Sequence, residues 1–474
     1  MNVEKKIEFF KRKLHSSIDV SSRVLEIGKT KVGFVFLKSM TDNQIFAESI
    51  YSPISHCEEI DIKKVFDVVQ AKDIKIVEES EVLEKILNGS VIIFLSNEEK
   101  YVSIDIMFFP TRVPQEPPTS PVIMGPREGF TEDIKTNITL LRRRFKSTNL
   151  VLEERNVGGL TKTQIVLAYL DGVVDKKIVE KLKNKLSNIK IDGVIDSYYI
   201  MELISDRPNS ILKQVGCAEK PDIIAGKMLE GRVAILVDNS PIVLTVPFIF
   251  LEDLQNSNDY YTNYTYSTLV RFIRVMALFI SVLGPGFYIA LELFHINILP
   301  IKYLITIADS TQQIPFTPFI EMLFIYVLFQ VLYEVSLRLP SYLGLATSVV
   351  GALILGDTGV KAGLISPPTV IVVAIAKIAV YAIPEESSQI NVFQFVFLLL
   401  GASLGVFGIV GGMLYVFGYA NSIENFDAPY FAPFSPFILS DNKDGLLKVP
   451  LAQMKKLPLS IKTKVRERDD VATK

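Results

Sequence analysis

Hydrophobic and polar residues follow different patterns in the two halves of the chain. Before residue 265, short apolar runs alternate with helix-like stretches that carry ordinary surface charge. Beyond it apolar runs dominate, and residues 275–420 contain only eleven Lys, Arg, Asp and Glu. Short apolar strands between helices are typical of sheets covered by helices, whereas long uncharged runs are typical of membrane spans. We therefore expect an α/β cytosolic N-terminal region followed by an α-helical transmembrane domain.

The N-terminal region contains two similar units. The segments "LNGSVIIFLSN" (residues 87–97) and "LEGRVAILVDN" (residues 229–239) each turn at a glycine, continue as an apolar strand and end at Asn. The segments "TKVGFVFL" (residues 30–37) and "TKTQIVLAYL" (residues 161–170) form another pair at similar spacing. Two matches at comparable offset predict a duplicated α/β subdomain. The expected regions are a first subdomain at 25–115, a Pro-rich linker and connecting helix at 116–149, a second subdomain at 150–255, a transmembrane helical domain at 268–421 and a basic cytosolic tail at 422–474.

The linker ends in a charged stretch, "GPREGFTEDIKTNITLLRRRF", at residues 125–145. We expect a helix that starts near Arg127, with one apolar stripe, acidic residues towards its N-terminus and three arginines near its C-terminus, as the helix dipole favours. Two interpretations stay open. The arginines are either the solvated end of an inter-domain helix or a docking site that pairs with a neighbouring subunit. The residues concerned are Glu128, Glu132, Arg142, Arg143 and Arg144.

The second half contains four apolar segments that we interpret as membrane spans. They cover residues 275–293, 319–337, 366–383 and 392–418. A fifth segment, residues 341–357, is short, rich in small residues and ends at a polar break. Four spans with this segment as a broken or re-entrant element give an even number of crossings, and five full spans are the alternative.

The distribution of charge predicts the orientation of these spans. Arg271 and Arg274 before the first span, Arg338 after the second and the basic tail lie inside by the positive-inside rule. The loop at 384–391 carries acidic residues and no basic residue, so it faces outward. Both terminal regions are then cytosolic.

Four charged residues lie within the predicted spans or at their ends. Glu334 and Arg338 are four residues apart on one helix face, which favours a structural ion pair. The four residues are Glu321, Glu334, Arg338 and Lys377.

The sequence contains no motif of a known enzyme class. We find no glycine-rich phosphate loop, nucleophile elbow or metal-ligand spacing. We therefore expect no catalytic residue, metal or cofactor, and no nucleic-acid partner. A secondary transporter usually requires more helices and internal membrane repeats. A transporter subunit and a non-conducting membrane scaffold both stay open as alternatives.

Several segments together resemble the A subunits of spore germinant receptors, the GerA family of endospore-forming bacteria. The resemblance covers roughly residues 25–440. Two positions depart from the family pattern, because Pro121 stands where an acidic residue is usual and Met124 where an arginine is usual. The segments are "EPPTSPVIMGPREGFTEDIKTNITLLRRR", "KPDIIAGKMLEGRVAILVDNSPIVLTVP", "DYYTN", "EVSLRLPSYLGLATSVVGALILG", "SPPTVIVVAI" and "APYFAPFSPF".

The resemblance implies a subunit of a nutrient-responsive complex in the spore inner membrane, with both terminal regions on the spore-core side. It implies a permease-like B subunit and a lipoprotein C subunit as partners. The A subunit would form the homo-oligomeric part that conducts monovalent cations across the bilayer. A related branch of the family accompanies the release of dipicolinic acid, and this remains the alternative.

With the resemblance, the short segment becomes a candidate gate. Val349, Val350 and Leu353 would form a hydrophobic constriction that closes by dewetting, and Asp357 would attract cations at one mouth. The alternative is a tightly packed helix that never contacts an ion.

Overall fold

A computed structural model of the protein describes residues 3–71, 73–107, 122, 124–311, 314–338, 358–465 and 467. The chain divides into two compact units. An α/β unit comprises Met1–Ile249, Glu424–Asn442 and Val449–Lys474, and a helical unit comprises Phe250–Ile423 and Lys443–Lys448. The segment expected as a separate tail at 422–474 is thus divided between the two units.

The α/β unit contains two five-stranded sheets with equivalent topology. Their strand orders are β1-β2-β4-β5-β3 and β6-β7-β9-β10-β8, and every neighbouring pair is antiparallel. Replacing each strand of the first sheet by the strand five places later gives the order of the second, which confirms the two similar subdomains. The strands are β1 (Val20–Ile27), β2 (Thr30–Leu37), β3 (Ile74–Val77), β4 (Ser90–Leu95), β5 (Tyr101–Asp105), β6 (Leu150–Val157), β7 (Thr163–Leu170), β8 (Gly216–Ala218), β9 (Val233–Val237) and β10 (Val243–Val246).

The two glycines that mark the sequence repeat occupy the same backbone conformation. Gly89 and Gly231 precede β4 and β9, and each has a φ of 88°. This region is open to glycine at little cost and is unfavourable for residues that carry a Cβ. Each subdomain therefore uses glycine for the same turn between a helix and a central strand.

Each sheet is covered by apolar side chains on both faces. Along β7, Ile165 and Leu167 join one hydrophobic cluster, while Val166 and Ala168 join another on the opposite face. The first sheet has two such clusters as well. The principal helices of this unit are α1 (Val3–Lys13), α2 (Ile62–Val68), α3 (Glu79–Leu87), α4 (Ile134–Arg144), α5 (Lys176–Ser187), α6 (Ser197–Ile204) and α7 (Pro221–Leu229).

The connecting helix α4 starts later than the sequence predicted. It begins at Ile134 rather than near Arg127, because the Asp133 side chain caps it by accepting hydrogen bonds from the backbone N–H groups of Lys135 and Thr136. Such a cap satisfies donors that have no partner within the helix. Glu128 and Glu132 therefore precede the helix.

The helical unit contains three described helices that are long and apolar enough to cross a membrane. A shorter apolar helix lies between the second and third of them, and a helix that the sequence analysis missed connects the first two. The helices are α8 (Tyr264–Phe294), α9 (Ile301–Thr311), α10 (Pro318–Arg338), α11 (Pro367–Val380) and α12 (Ser387–Asn421), of which α8, α10 and α12 are the long apolar ones and α11 the shorter.

Glycines allow α8 and α12 to pack backbone against backbone. A Cβ at Gly286 would overlap the backbone of Phe397, and a Cβ at Gly401 would overlap Gly286. Small residues are the usual means of such close contact between membrane helices. The non-helical backbone within α12 lies at Gly405, with φ 64° and ψ −148°.

Candidate functional site

The arginines of α4 have different environments. Arg142 is 1% exposed and forms a bidentate ion pair with Asp19, with Nε–Oδ2 and Nη2–Oδ1 distances of 2.9 Å. The Ser39 hydroxyl donates a further hydrogen bond to Asp19. Because removing one partner leaves a buried charge without compensation, such pairs are costly to break. Arg142 is thus held inside the α/β unit.

The two following arginines are more accessible. Arg143 and Arg144 form ion pairs of 3.1 and 3.2 Å with the two carboxylate oxygens of Glu128, and the Arg143 side chain is 38% exposed. The side chain of Glu132 is exposed, while its backbone carbonyl accepts a hydrogen bond from Asn239. Among the five residues predicted to take part in docking, the exposed ones are therefore Glu132 and Arg143.

A buried ion-pair network surrounds the start of α8. Arg271 and Arg274 lie three residues apart on this helix, and both contact the Asp259 carboxylate. Arg271 also binds Asp444 and donates to the backbone carbonyl of Gly445. The network therefore joins α8 to the short segment Lys443–Lys448.

This network keeps Asp259 ionised. Burial alone raises the pKa of this carboxyl, but hydrogen bonds and charge from Arg274 and Arg271 outweigh it and bring the pKa below its ordinary value. Asp259 and both arginines are each less than a tenth exposed. The sequence analysis used both arginines to place the start of the first span on the inner side, and the structure shows in addition that both form buried ion pairs.

Glu321 is buried inside the helical unit and is held by neutral groups. Its Oε1 accepts hydrogen bonds of 2.7 Å from both the backbone N–H and the hydroxyl of Ser366, and that hydroxyl also contacts Thr369. Ser366 is the residue that precedes α11, so the carboxylate lies at the positive end of the helix dipole. Glu321 is only 2% exposed.

Lys377 is also held by neutral groups. Its ammonium donates hydrogen bonds of 2.9 Å to the Gln330 amide oxygen and 2.8 Å to that of Asn391. It also lies 4.4 Å from the centroid of the Tyr326 ring, within cation–π distance. Among the salt bridges of the described residues, none includes Lys377. Its charge is therefore held by oriented dipoles and one aromatic ring.

Glu334 and Arg338 form the i,i+4 ion pair that their spacing suggests, with an Nη2–Oε1 distance of 2.6 Å, and both side chains are exposed in the isolated chain. The predicted gate residues lie outside the described residues; they are Val349, Val350, Leu353 and Asp357. Within the described part of the chain, no group of three or more His, Cys, Asp or Glu is arranged to hold a metal ion.

Sequence reasoning missed several functional candidates. Asp259 lies in the quoted "DYYTN" segment, but its partners on α8 and at Asp444 are distant in sequence. Glu292 lies near the end of α8 and was not singled out, although a charge inside an apolar run is the signal by which Glu321 and Lys377 were found. A polar residue in an apolar membrane helix is by default a candidate for function.

Comparison with known proteins gives concordant matches. The family model described as "Bacillus/Clostridium GerA spore germination protein" matches residues 8–460. Spore germination protein KA of Bacillus subtilis (strain 168) is 33% identical over 99% of this chain and 89% of its own length. The uncharacterized membrane protein YfkQ of the same strain is 36% identical over 80% of this chain and 74% of its own length. Spore germination protein A1, also of that strain, is 31% identical over 88% of this chain and 87% of its own length.

A solved structure also matches the chain. It is the crystal structure of the N-terminal domain of the A subunit of the Bacillus megaterium spore germinant receptor GerK3. It is 25% identical, with a TM-score of 0.42, and the match covers 52% of this chain and 96% of that chain. The family match extends over nearly the whole sequence, and long relatives exceed 30% identity. This chain therefore belongs to the Bacillus/Clostridium GerA family of spore germination proteins.

Proposed function

We propose that this protein is the A subunit of a nutrient-responsive spore germinant receptor and that its helical unit forms the cation pathway of the complex. The observation that carries the proposal is the presence of buried or partly buried charged groups among apolar helices, where neutral dipoles rather than opposite charges hold them. Glu321 and Lys377 are the two clearest cases. Ionisable groups inside the membrane are costly and typically mark ion or substrate pathways.

The membrane assignment is supported by the long apolar helices α8, α10 and α12. We place the complex in the spore inner membrane, with both terminal regions on the spore-core side. Its expected partners are a permease-like B subunit, which binds the nutrient, and a lipoprotein C subunit. Family membership supports these assignments, since the relatives include spore germination proteins of Bacillus subtilis and Bacillus cereus.

We propose a homo-oligomer of this chain as the conducting part. Many large apolar side chains on the long helices are exposed in the isolated chain, including Phe407 at 83% and Tyr415 at 75%. In a membrane such surfaces contact lipid or another helix. The accessible charges Arg143 and Glu132 are proposed to pair between α/β units of neighbouring subunits. Arg142 cannot take this role without losing its buried pair with Asp19.

The gate is proposed to be formed by Val349, Val350 and Leu353, with Asp357 attracting cations at one mouth. If so, Val350→Ser should keep the constriction wet and cause nutrient-independent cation leak. Asp357→Asn should lower the flux without preventing assembly.

Deletion of the gene, followed by a screen of the spores against single nutrients, tests the proposed function. We expect loss of the response to at least one nutrient, together with loss of its early K⁺ release, and recovery of both on complementation. Release of dipicolinic acid triggered without any nutrient provides the control. If the deletion spores respond to every nutrient but fail in that control, the chain serves the release machinery instead. Unchanged K⁺ release despite failed germination would favour a scaffold.

A further inference from the structure

A half-open cavity of about 380 Å³ lies between α8, α9 and α11 of the helical unit. It is lined by residues that include Gly284, Phe287, Val372 and Ile375. This volume is within the range of cavities that hold small organic ligands. Among the described residues that line it, all are apolar except Tyr288 and Glu292.

Glu292 is partly buried, and one of its two carboxylate oxygens lacks the hydrogen bond that buried carboxylate oxygens normally have. Its Oε2 is buried and accepts no hydrogen bond from any described residue. The Tyr288 side chain lies close enough to interact with the carboxylate, and the nearby Glu321 acts on it as a like charge. In the salt bridges found among the described residues, no cationic side chain pairs with Glu292. A partly buried carboxylate in this setting favours a positively charged partner.

From this geometry we infer that the cavity binds a small organic primary ammonium, with its charged head against Glu292 and its apolar body among Phe287, Val372 and Ile375. A bare alkali-metal ion would need several oxygen ligands, which the apolar walls do not supply. Water would also be poorly held there, because a buried water typically makes about three hydrogen bonds. An organic ammonium can do both: its charged group pairs with the carboxylate, and its aliphatic or aromatic part fills the apolar space.

The charge balance of the cavity restricts the ligand further. One carboxylate lines the cavity, and no Lys or Arg is among its described lining residues. A zwitterionic amino acid would therefore bring a carboxylate with no cationic partner, at a high desolvation cost. A monoamine should bind more tightly than the amino acid of the same size. The ring faces of Phe287 and Tyr288 offer additional attraction for a cation.

Binding is measured with the full chain in nanodiscs of phosphatidylglycerol by isothermal titration calorimetry. The probes are benzylammonium, its neutral analogue benzyl alcohol, its anionic analogue benzoate and zwitterionic phenylglycine. We expect saturable binding of benzylammonium and much weaker binding of the other three. This comparison uses the unaltered protein, so it does not depend on the folding of a variant. Equal affinity for benzylammonium and benzyl alcohol would overturn the proposal.

Two variants of cavity residues, Glu292→Gln and Val372→Phe, and one control variant test where the ligand binds. Glu292→Gln keeps the shape of the side chain and removes its charge, so benzylammonium affinity should fall by about thirtyfold or more, as for loss of a buried charged partner. Glu334→Gln is the matched control, because Glu334 is exposed and does not line the cavity, and it should leave the affinity unchanged. Val372→Phe should weaken binding by filling the cavity. Unchanged affinity in both Glu292→Gln and Val372→Phe would place the binding elsewhere and contradict the proposal.

The ammonium group could come from a free amine or from a lipid headgroup. Repeating the titration in nanodiscs that contain phosphatidylethanolamine distinguishes the two sources. Competition by this lipid, lost in Glu292→Gln, would assign the site to the headgroup ammonium. Unchanged affinity would assign it to free amines. The inference does not depend on cation conduction, because binding is measured without flux.

Discussion

The α/β unit and the apolar part of the helical unit hold their buried and partly buried charges in different ways. In the α/β unit Arg142 and Asp19 neutralise each other through two hydrogen bonds of 2.9 Å. Among the apolar helices, Glu321 and Lys377 are held by hydroxyl, amide and backbone groups without an opposite charge in the described contacts. In an ion pair the two opposite charges largely cancel each other's electrostatic field. A charge held only by neutral dipoles keeps its net charge and can still attract or repel a nearby ion. We propose that this contrast separates charges that stabilise the fold from charges that act on a conducted ion.

Breaking the closed pair should have the largest effect on folding. Asp19→Asn leaves the Arg142 guanidinium buried without a countercharge, so we expect a loss of about 3–5 kcal/mol in the free energy of unfolding of the α/β unit. Glu128→Gln is the matched control, because this carboxylate pairs with arginines at the surface and should contribute less than about 1 kcal/mol. Chemical denaturation of the two variants measures the difference. Equal losses in the free energy of unfolding would show that the buried Arg142–Asp19 pair contributes no more to stability than the surface pairs of Glu128.

The network at the start of α8 should be the next most sensitive. Asp259→Asn removes the carboxylate shared by Arg271 and Arg274, but Asp444 still binds Arg271, so the effect should be smaller than that of Asp19→Asn. Thermal unfolding in detergent, monitored by circular dichroism, should give a lower Tm. Asp309→Asn, at an exposed carboxylate on α9, should leave it unchanged. A Tm lowered equally by both substitutions would contradict the account.

The same network predicts a dependence on pH. The pKa of Asp259 is lowered in the folded protein, so its contribution is fully present above the ordinary carboxyl pKa of about 4. That contribution is lost as the pH falls through the depressed folded-state pKa. The difference in Tm between the unaltered protein and Asp259→Asn should therefore shrink below about pH 4. A difference that stays constant across that range would exclude ionised Asp259 as its source.

The accessible arginine should have the smallest effect on stability. Arg143→Glu removes an exposed ion pair, so the free energy of unfolding should change by less than about 1 kcal/mol. If Arg143 pairs between subunits, the same substitution should reduce recovery of the complex in a pull-down. Lys146→Glu, which changes charge equally at a nearby exposed position, should not. Unfolding of the Arg143→Glu chain would instead assign this residue to the fold.

The sequence revealed the repeated parts of the fold more readily than its long-range pairs. Gly89 and Gly231, each before an apolar strand, predicted the duplication because local patterns determine strands and turns. The position of Arg142 four residues after Ile138, on the apolar stripe of α4, was a local sign of burial. Its partner Asp19 is 123 residues away, and no local pattern identifies it. Arg271 and Asp444 are 173 residues apart in the same way.

Two other differences have local physical causes. The start of α4 was placed too early because acidic residues near a helix N-terminus suit the helix dipole whether they lie within the helix or before it. The cap formed by Asp133 shows that the helix starts after Glu128 and Glu132. The apolar span patterns predicted α8, α10 and α12, but they could not predict α9, whose mixed polar and apolar residues resemble a connecting loop.

The most direct test of the account is K⁺ flux from liposomes that contain the reconstituted receptor, triggered by the nutrient identified in the spore screen. Glu321→Gln and Glu334→Gln make the same chemical change, at a buried carboxylate held by neutral groups and at an exposed carboxylate paired with Arg338. We predict that Glu321→Gln lowers the flux by about tenfold or more, since a nearby charge contributes several kcal/mol at the effective dielectric constant of a protein. Glu334→Gln should leave it nearly unchanged, and both variants should assemble normally. Equal flux in the two assembled variants would contradict the claim that dipole-held charges among the apolar helices act on the conducted cation.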